Sequence, residues 1–247
     1  MFLSSEKYFA QYRRVEIGAP GALQGKLPSF FGDAIAASDA EIYATTGIKD
    51  PRQPRGLSRS AILLLTLWSD LNLALEGINR KRVGIYGTLG KGGLLPAVWE
   101  GIVSAGEFEL SEYLKSHLPP KQIFREGLNI PSSQLSIVLS THGPTHTFPS
   151  VRFGAVHSFE AAEMDFENGA IDAAIVYASN AFDNPLVDQL LGRMLATGVV
   201  PREVAAAVVV RSEVEARNHA KICESAGDER YWVHGRAEPL LRLAVNA

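Results

Sequence analysis

The sequence predicts an α/β protein in which helices cover a largely buried sheet, and two patterns carry that expectation. Segments such as "KRVGIYGTL", "IDAAIVYAS" and "EVAAAVVVRS" are short and apolar almost throughout. Strands covered on both faces read that way. Amphipathic segments, "SFEAAEMDFENG" and "EVEARNHAKICES", lie among them with apolar residues at helical spacing. Alternation of the two kinds is the signature of α/β layers. The chain has 247 residues, 46% of them hydrophobic and 21% charged. That is material for a real core, and residues 1–247 are read as a single domain.

Taken in order, residues 18–57 are rich in Gly, Pro, Asp and Arg, and "DPRQPRG" reads as a loop. Ser58 is placed to cap a helix running to Gly77, with Ile62, Leu65, Leu67, Trp68 and Leu71 on a wide apolar face. A short buried strand, Val83 to Tyr86, then enters a Gly-rich turn. "LLPAVWEGIVSAG" is helical in pattern. Periodicity alone leaves "SSQLSIVLS" open between strand and helix. In "SFEAAEMDFENG", Phe159, Ala162 and Phe166 share one face, and Gly169 stops the helix. Ser212 and Glu215 form a capping-box pattern opening a later helix. The tail "RYWVHGRAEPLLRLAVNA" reads as one or two more strands.

Several function classes are disfavoured. A formal net charge of -3 argues against a binder of nucleic acid that relies on a basic surface. The apolar run "AILLLTLW" is far short of the ~20 residues that span a bilayer. The N-terminus lacks the pattern of a signal peptide. One cysteine, Cys223, leaves no internal disulfide and fits a reducing compartment, so a cytoplasmic protein is expected. "GIYGTLGKGG" is not a phosphate loop, because Gly92 stands where the metal-binding hydroxyl belongs. "THGPTH" puts His142 and His146 four apart, but Gly143-Pro144 prevents the helix that would align them, and no metal site is expected. His117, His219 and His234 have surface-like surroundings. Cys223 reads as a structural thiol. No cofactor is expected.

Together, the segments from Gly143 onward resemble the β-ketoacyl synthase family of the thiolase fold. There a Gly-Pro dipeptide leads into a strand that ends at the nucleophilic cysteine, on the N-terminus of a buried helix. Here Gly143-Pro144 matches the dipeptide, "FGAVHSFEAAEMDFEN" the helix, and "GAIDAAIVYASN" the strand that follows it, with Gly169 and Asp172. "VGIYGTLGKGG" is similar to the family's earlier strand and Gly-rich turn. Asn129 matches an Asn at a family-like distance before Gly-Pro, which makes residues 131–140 helical. The similarity covers about residues 58–225. It implies a thiolase-like layered fold, N-terminal half only, with a mixed sheet covered by helices.

Two departures from the family pattern bear on function. Counting seventeen residues back from Gly169 lands on Arg152, where the resemblance puts the nucleophile. A guanidinium stays protonated and cannot attack a thioester. Ser158 and His157 are the nearby candidates for other chemistry, His157 being read as a packed or hydrogen-bonded histidine of the core. Second, the chain reaches Ala247 about where the first half of a ketosynthase ends, and in the family the second half carries the catalytic histidine pair. Arg152→Cys is therefore expected to give no condensation by the isolated chain; measurable condensation would contradict this.

The resemblance thus implies a non-catalytic subunit of the chain-length-factor kind, similar to the short ketosynthase-like proteins of aryl-polyene pathways. Such a subunit pairs with an active ketosynthase and meets acyl carrier protein through the complex. Half of a thiolase fold is expected to leave an apolar layer uncovered. The family's dimer strand would fall on Thr145, His146, Thr147, Phe148, Ser150 and Val151, with Arg152 at the same interface. Pro149 removes a donor, so the pairing is expected to be short or bulged. Tunnel-lining candidates are Leu94, Leu95, Val98, Trp99 and Ile102. The alternatives are a thioester hydrolase or acyl transferase on the same scaffold, or a protein that scaffolds carrier protein.

Overall fold

A computed structural model describes residues 17–18, 39–44, 46–48, 57–89, 127–149, 152–181, 202–227 and 237–245. Their strands are β1 (Ile17–Gly18), β2 (Val83–Leu89), β3 (Thr145–Phe148), β4 (Ala173–Asn180) and β5 (Arg202–Val210). They form one mixed sheet in the order β1-β5-β4-β2-β3. β2 runs parallel to both β3 and β4, with Ile85 beside Thr145 and Ile175. β5 is antiparallel to β4 and to β1. The helices are α1 (Asp39–Ala44), α2 (Arg59–Leu65), α3 (Trp68–Ala74), α4 (Ile130–Leu139), α5 (Gly154–Glu167), α6 (Glu213–Glu224) and α7 (Glu238–Val245).

The apolar runs are explained by burial on both faces. Ala173, Ile175 and Tyr177 of β4, with Ala205, Ala207 and Val209 of β5, pack into a core roofed by α2, α3 and α4. The alternate residues Ala174, Val176, Ala178, Ala206, Val208 and Val210 pack into a second core under α5, α6 and α7. Side chains of a strand alternate between faces, so Ala173–Ala178 and Ala205–Val210 are apolar at every position.

Ser58 caps α2 as expected, its side chain accepting from the Ala61 amide at 3.4 Å; such caps are worth about 1 kcal/mol. The helix expected over residues 58–77 is instead two. It breaks at Thr66–Leu67, whose amides bond to the carbonyls of Leu63 and Leu64, three residues back. The Thr66 hydroxyl also donates to the Leu63 carbonyl, at 2.6 Å. That side-chain competition tightens the turn, and Trp68 is drawn to donate to the Thr46 carbonyl. Of the expected apolar face, Ile62, Leu65, Leu67 and Leu71 are buried and Trp68 is half-buried.

The open segment resolves as helix α4, with Pro131 in its first turn, where a missing amide costs nothing. Asn129 sits at its N-cap. Gly169 ends α5 in the left-handed region at φ 63°. Ser212 accepts from the Glu215 amide at 3.2 Å, while Glu215 accepts from the Arg211 amide at 2.8 Å. The reciprocal cap is therefore shifted by one residue on its second bond.

The tail departs from expectation. Residues 238–245 form a helix, α7, rather than a strand. Leu240, Leu241 and Leu243 are buried, Pro239 is tolerated in the first turn, and Glu238 pairs with Arg242 at 3.8 Å across one turn. The short helix α1 lies in the stretch 18–57, for which the sequence suggests no helix. His219 is also corrected: it is buried, 5.4 Å from the Phe159 ring centre, and burial lowers its pKa. Cys223 is buried beneath α7, with its Sγ donating to the Pro239 carbonyl at 3.5 Å. Burial pushes its thiol up to about 12, in keeping with an inert structural residue.

On the outer side of α5 and α6 apolar and charged groups are mixed among the described residues. Among the described residues Met164 and Val214 are exposed there. They accompany an ion-pair network in which Arg217 of α6 meets Glu163 at 2.5 Å and Glu167 at 3.1 Å.

Candidate functional site

The site is where β3 ends and α5 begins. Gly143 is required to reach it, since a Cβ there would lie 2.3 Å from the Val83 carbonyl oxygen. That close approach lets the Pro144 carbonyl accept from the Ile85 amide at 2.8 Å, which starts the β2–β3 ladder. Gly154, first residue of α5, is needed for a similar reason: a Cβ would meet Thr88 Oγ1 at 2.1 Å. The helix therefore begins hard against the sheet.

Among the described residues β3 is the edge of the sheet, and its two sides differ. Thr147 faces α4, where Ser132 Oγ lies 3.0 Å from Thr147 Oγ1 and 2.7 Å from the Tyr177 hydroxyl. Burial is the main reason the Tyr177 phenol is pushed up to about 12, with the two hydroxyl contacts pulling the other way. This hydroxyl chain ties the edge strand to α4 and β4. His146 and Phe148 face the other way. The His146 ring stacks on Tyr86 at 5.7 Å and neighbours Phe148 at 6.5 Å. Tyr86 is buried and donates to Asp165 of α5 at 2.5 Å. Burial, then the hydrogen bond to the Asp165 carboxylate and its charge, raise the Tyr86 pKa well above the usual tyrosine value.

The row of rings continues onto α5. His157 lies edge-on to Phe148 at 6.0 Å and stacks with Phe153 at 6.1 Å. Arg152 places its guanidinium 5.3 Å from the Phe153 ring centre, an attraction of about 0.5–1 kcal/mol at an exposed site. Tyr86, His146, Phe148, His157, Phe153 and Arg152 thus form one continuous band.

Most of the expected interface residues come together here. Thr145, His146, Thr147 and Phe148 form the edge strand, and Arg152 stands beside it. Ser150 and Val151 lie outside the described residues, as do all five tunnel candidates, Leu94, Leu95, Val98, Trp99 and Ile102, and the Gly90 to Gly93 turn. Arg152 is exposed in the isolated chain, so it carries no burial penalty. His157 is exposed rather than part of the core. Spacing carries a signal for it: Phe153 and His157 are one helical turn apart and so share a face. Tyr86 and its bond to Asp165 leave no comparable trace, because they join positions far apart in the chain.

Among the described residues the site offers few candidates for a nucleophile. Ser158 is buried and its hydroxyl donates to the Gly154 carbonyl at 2.8 Å. Cys223 belongs to α6 and packs against α7. Among the described residues no group of three or more His, Cys, Asp or Glu side chains is arranged to hold a metal ion. No described helix is long and apolar enough to cross a membrane.

No family model matches the sequence, and no curated protein does. Solved structures do match. The ishigamide ketosynthase/chain length factor aligns at TM-score 0.57 and 17% identity, over 84% of this chain and 57% of that one. A type II polyketide synthase acyl-carrier protein in complex with its ketosynthase bound to the hexaketide, AntDE:AntF, gives TM-score 0.51 and 19% identity, over 70% and 52%. A ketosynthase in complex with its chain length factor from Xenorhabdus doucetiae overlaps at TM-score 0.48, with 12% identity over 72% and 74%. The chain spans about half the length of the first two structures it matches. The likeness is one of fold: a mixed sheet with helices on both faces, thiolase-like.

Proposed function

We propose that this chain is a non-catalytic, ketosynthase-like subunit of the chain-length-factor kind. It pairs with an active ketosynthase and helps shape the acyl tunnel in type II polyketide or fatty-acid-like synthesis, meeting acyl carrier protein through the complex. The observation that carries this reading is Arg152. It stands just ahead of α5, where the family keeps its cysteine, and the Ser158 hydroxyl of that helix is buried and hydrogen-bonded within it. Pairing is supported by the β3 edge, four residues long with aromatic and imidazole groups beside it. The fold shared with the ishigamide ketosynthase/chain length factor supports it too. No geometry favours a thioester hydrolase, since His157 is exposed and stacked between rings rather than bonded to a hydroxyl.

Co-expression of the full chain with candidate ketosynthases of its host tests the proposal. A one-to-one or two-to-two assembly by native mass is expected. In that assembly Trp99→Ala is expected to change product length; an unchanged product would remove the tunnel assignment. A chain that ignores every ketosynthase and hydrolyses acyl thioesters would overturn the whole reading.

A further inference from the structure

β3 is held differently from the strands beside it. Among the described residues it pairs with β2 alone, whereas β4 is paired on both sides. Every side chain of β4 from Ala173 to Ala178 is buried; none of the four in β3 is. The burial of apolar area that fixes β4 therefore does little for β3. Its fastenings are local. At its two ends Gly143 lies against Val83 and Gly154 against Thr88. The bond from the Ile85 amide to the Pro144 carbonyl sets the parallel pattern. By that pattern His146 and Phe148 bond inward to β2, while Thr145 and Thr147 direct their amides and carbonyls outward. On one side the His146 and Phe148 rings rest on Tyr86 and His157.

On the other side the middle of the strand is joined to α4 by a hydroxyl. Thr147 Oγ1 lies 3.0 Å from Ser132 Oγ, and Ser132 Oγ lies 2.7 Å from the Tyr177 hydroxyl. Ser132 and Tyr177 are fully buried, and Thr147 is only half-buried. If Thr147 swings away, Ser132 keeps its bond to Tyr177 and Thr147 meets water. Breaking this contact thus strands neither buried hydroxyl, and a stranded partner is the larger cost of losing an internal hydrogen bond.

We infer that β3 is a strap that opens as a unit while the rest of the sheet stays folded, and that the contact between Thr147 and Ser132 is its clasp. Segments with few buried apolar contacts open locally, below the free energy of global unfolding. β3 leads toward the start of α5, so the clasp sets how firmly the candidate site is held. This inference does not rest on the pairing proposed above.

Amide hydrogen exchange of the full chain, read residue by residue in rising urea, tests it. In the wild type the His146 and Phe148 amides are expected to exchange at least about tenfold faster than those of Ile175 and Tyr177. Their rates are expected to depend little on urea, because a local opening exposes little surface. Thr147→Val is expected to speed the His146 and Phe148 amides about fivefold, the worth of one net hydrogen bond, and to leave Ile175 and Tyr177 unchanged. Thr147→Ser keeps the hydroxyl and is expected to exchange as the wild type does. Exchange of β3 at the rate of β4, with the same dependence on urea, would overturn the strap. Equal rates in Thr147→Val and the wild type would overturn the clasp.

Discussion

Phe159→Ala is expected to destabilise the protein by about 3–5 kcal/mol, the usual cost of removing a buried aromatic ring. Phe159 is fully buried in the core beneath α5, α6 and α7. Its ring also lies against His219 of α6, so the cavity would open between two helices. For a chain of this size the thermal midpoint is expected to fall by roughly 10 °C. Met164→Ala supplies the contrast. It sits on the same helix but is 61% exposed, and is expected to change stability by less than about 0.5 kcal/mol. Denaturant unfolding of both variants checks the pair; similar losses would show that α5 is not seated on the sheet by this face.

The second large effect is expected from Gly143→Ala, one added methyl group. Its carbon would lie 2.3 Å from the Val83 carbonyl oxygen and 2.6 Å from the Val83 carbonyl carbon. Neither is a side-chain atom that can swing away, so the chain itself must move. Overpacking costs about 1–3 kcal/mol, and the upper end is expected because the contact is with backbone. The movement also pulls Pro144 from Ile85, and the Ile85 amide is expected to exchange with solvent faster than in the wild type. An unchanged melting temperature with unchanged exchange at Ile85 would contradict the β2–β3 geometry described here.

Much of this fold is legible in the sequence, for physical reasons. Strands buried on both faces must be apolar at every position, so β4 and β5 announce themselves. Gly169 and Ser212 mark helix ends through backbone and cap chemistry that few residues supply. The Gly143-Pro144 pair is legible because the chain passes another backbone there. What the sequence conceals is tertiary. Leu240, Leu241 and Leu243 fit a helix stripe, yet a short apolar run is equally good strand material, and only the space under α7 decides between them. The break at Thr66–Leu67 depends on a hydroxyl bonding to its own helix. His219 looks like a surface residue because its polar neighbours along α6 face outward while it faces Phe159. At the candidate site, Arg152 is found only through the resemblance to ketosynthases, by its distance to Gly169. The band of rings around it is not legible, because Tyr86, His146 and His157 come from three separate elements.

Pro149 has a further consequence, for what the end of β3 offers to other chains. A bare sheet edge is a template onto which any extended chain can add, and growth of that kind ends in aggregates. Here the outward amides run out after Thr147, because the next outward position is a proline. Among the described residues the end of the edge gives a stray strand little to hold. Pro149→Ala would return an amide to that position and is expected to make the protein more prone to aggregate, which light scattering at raised concentration checks.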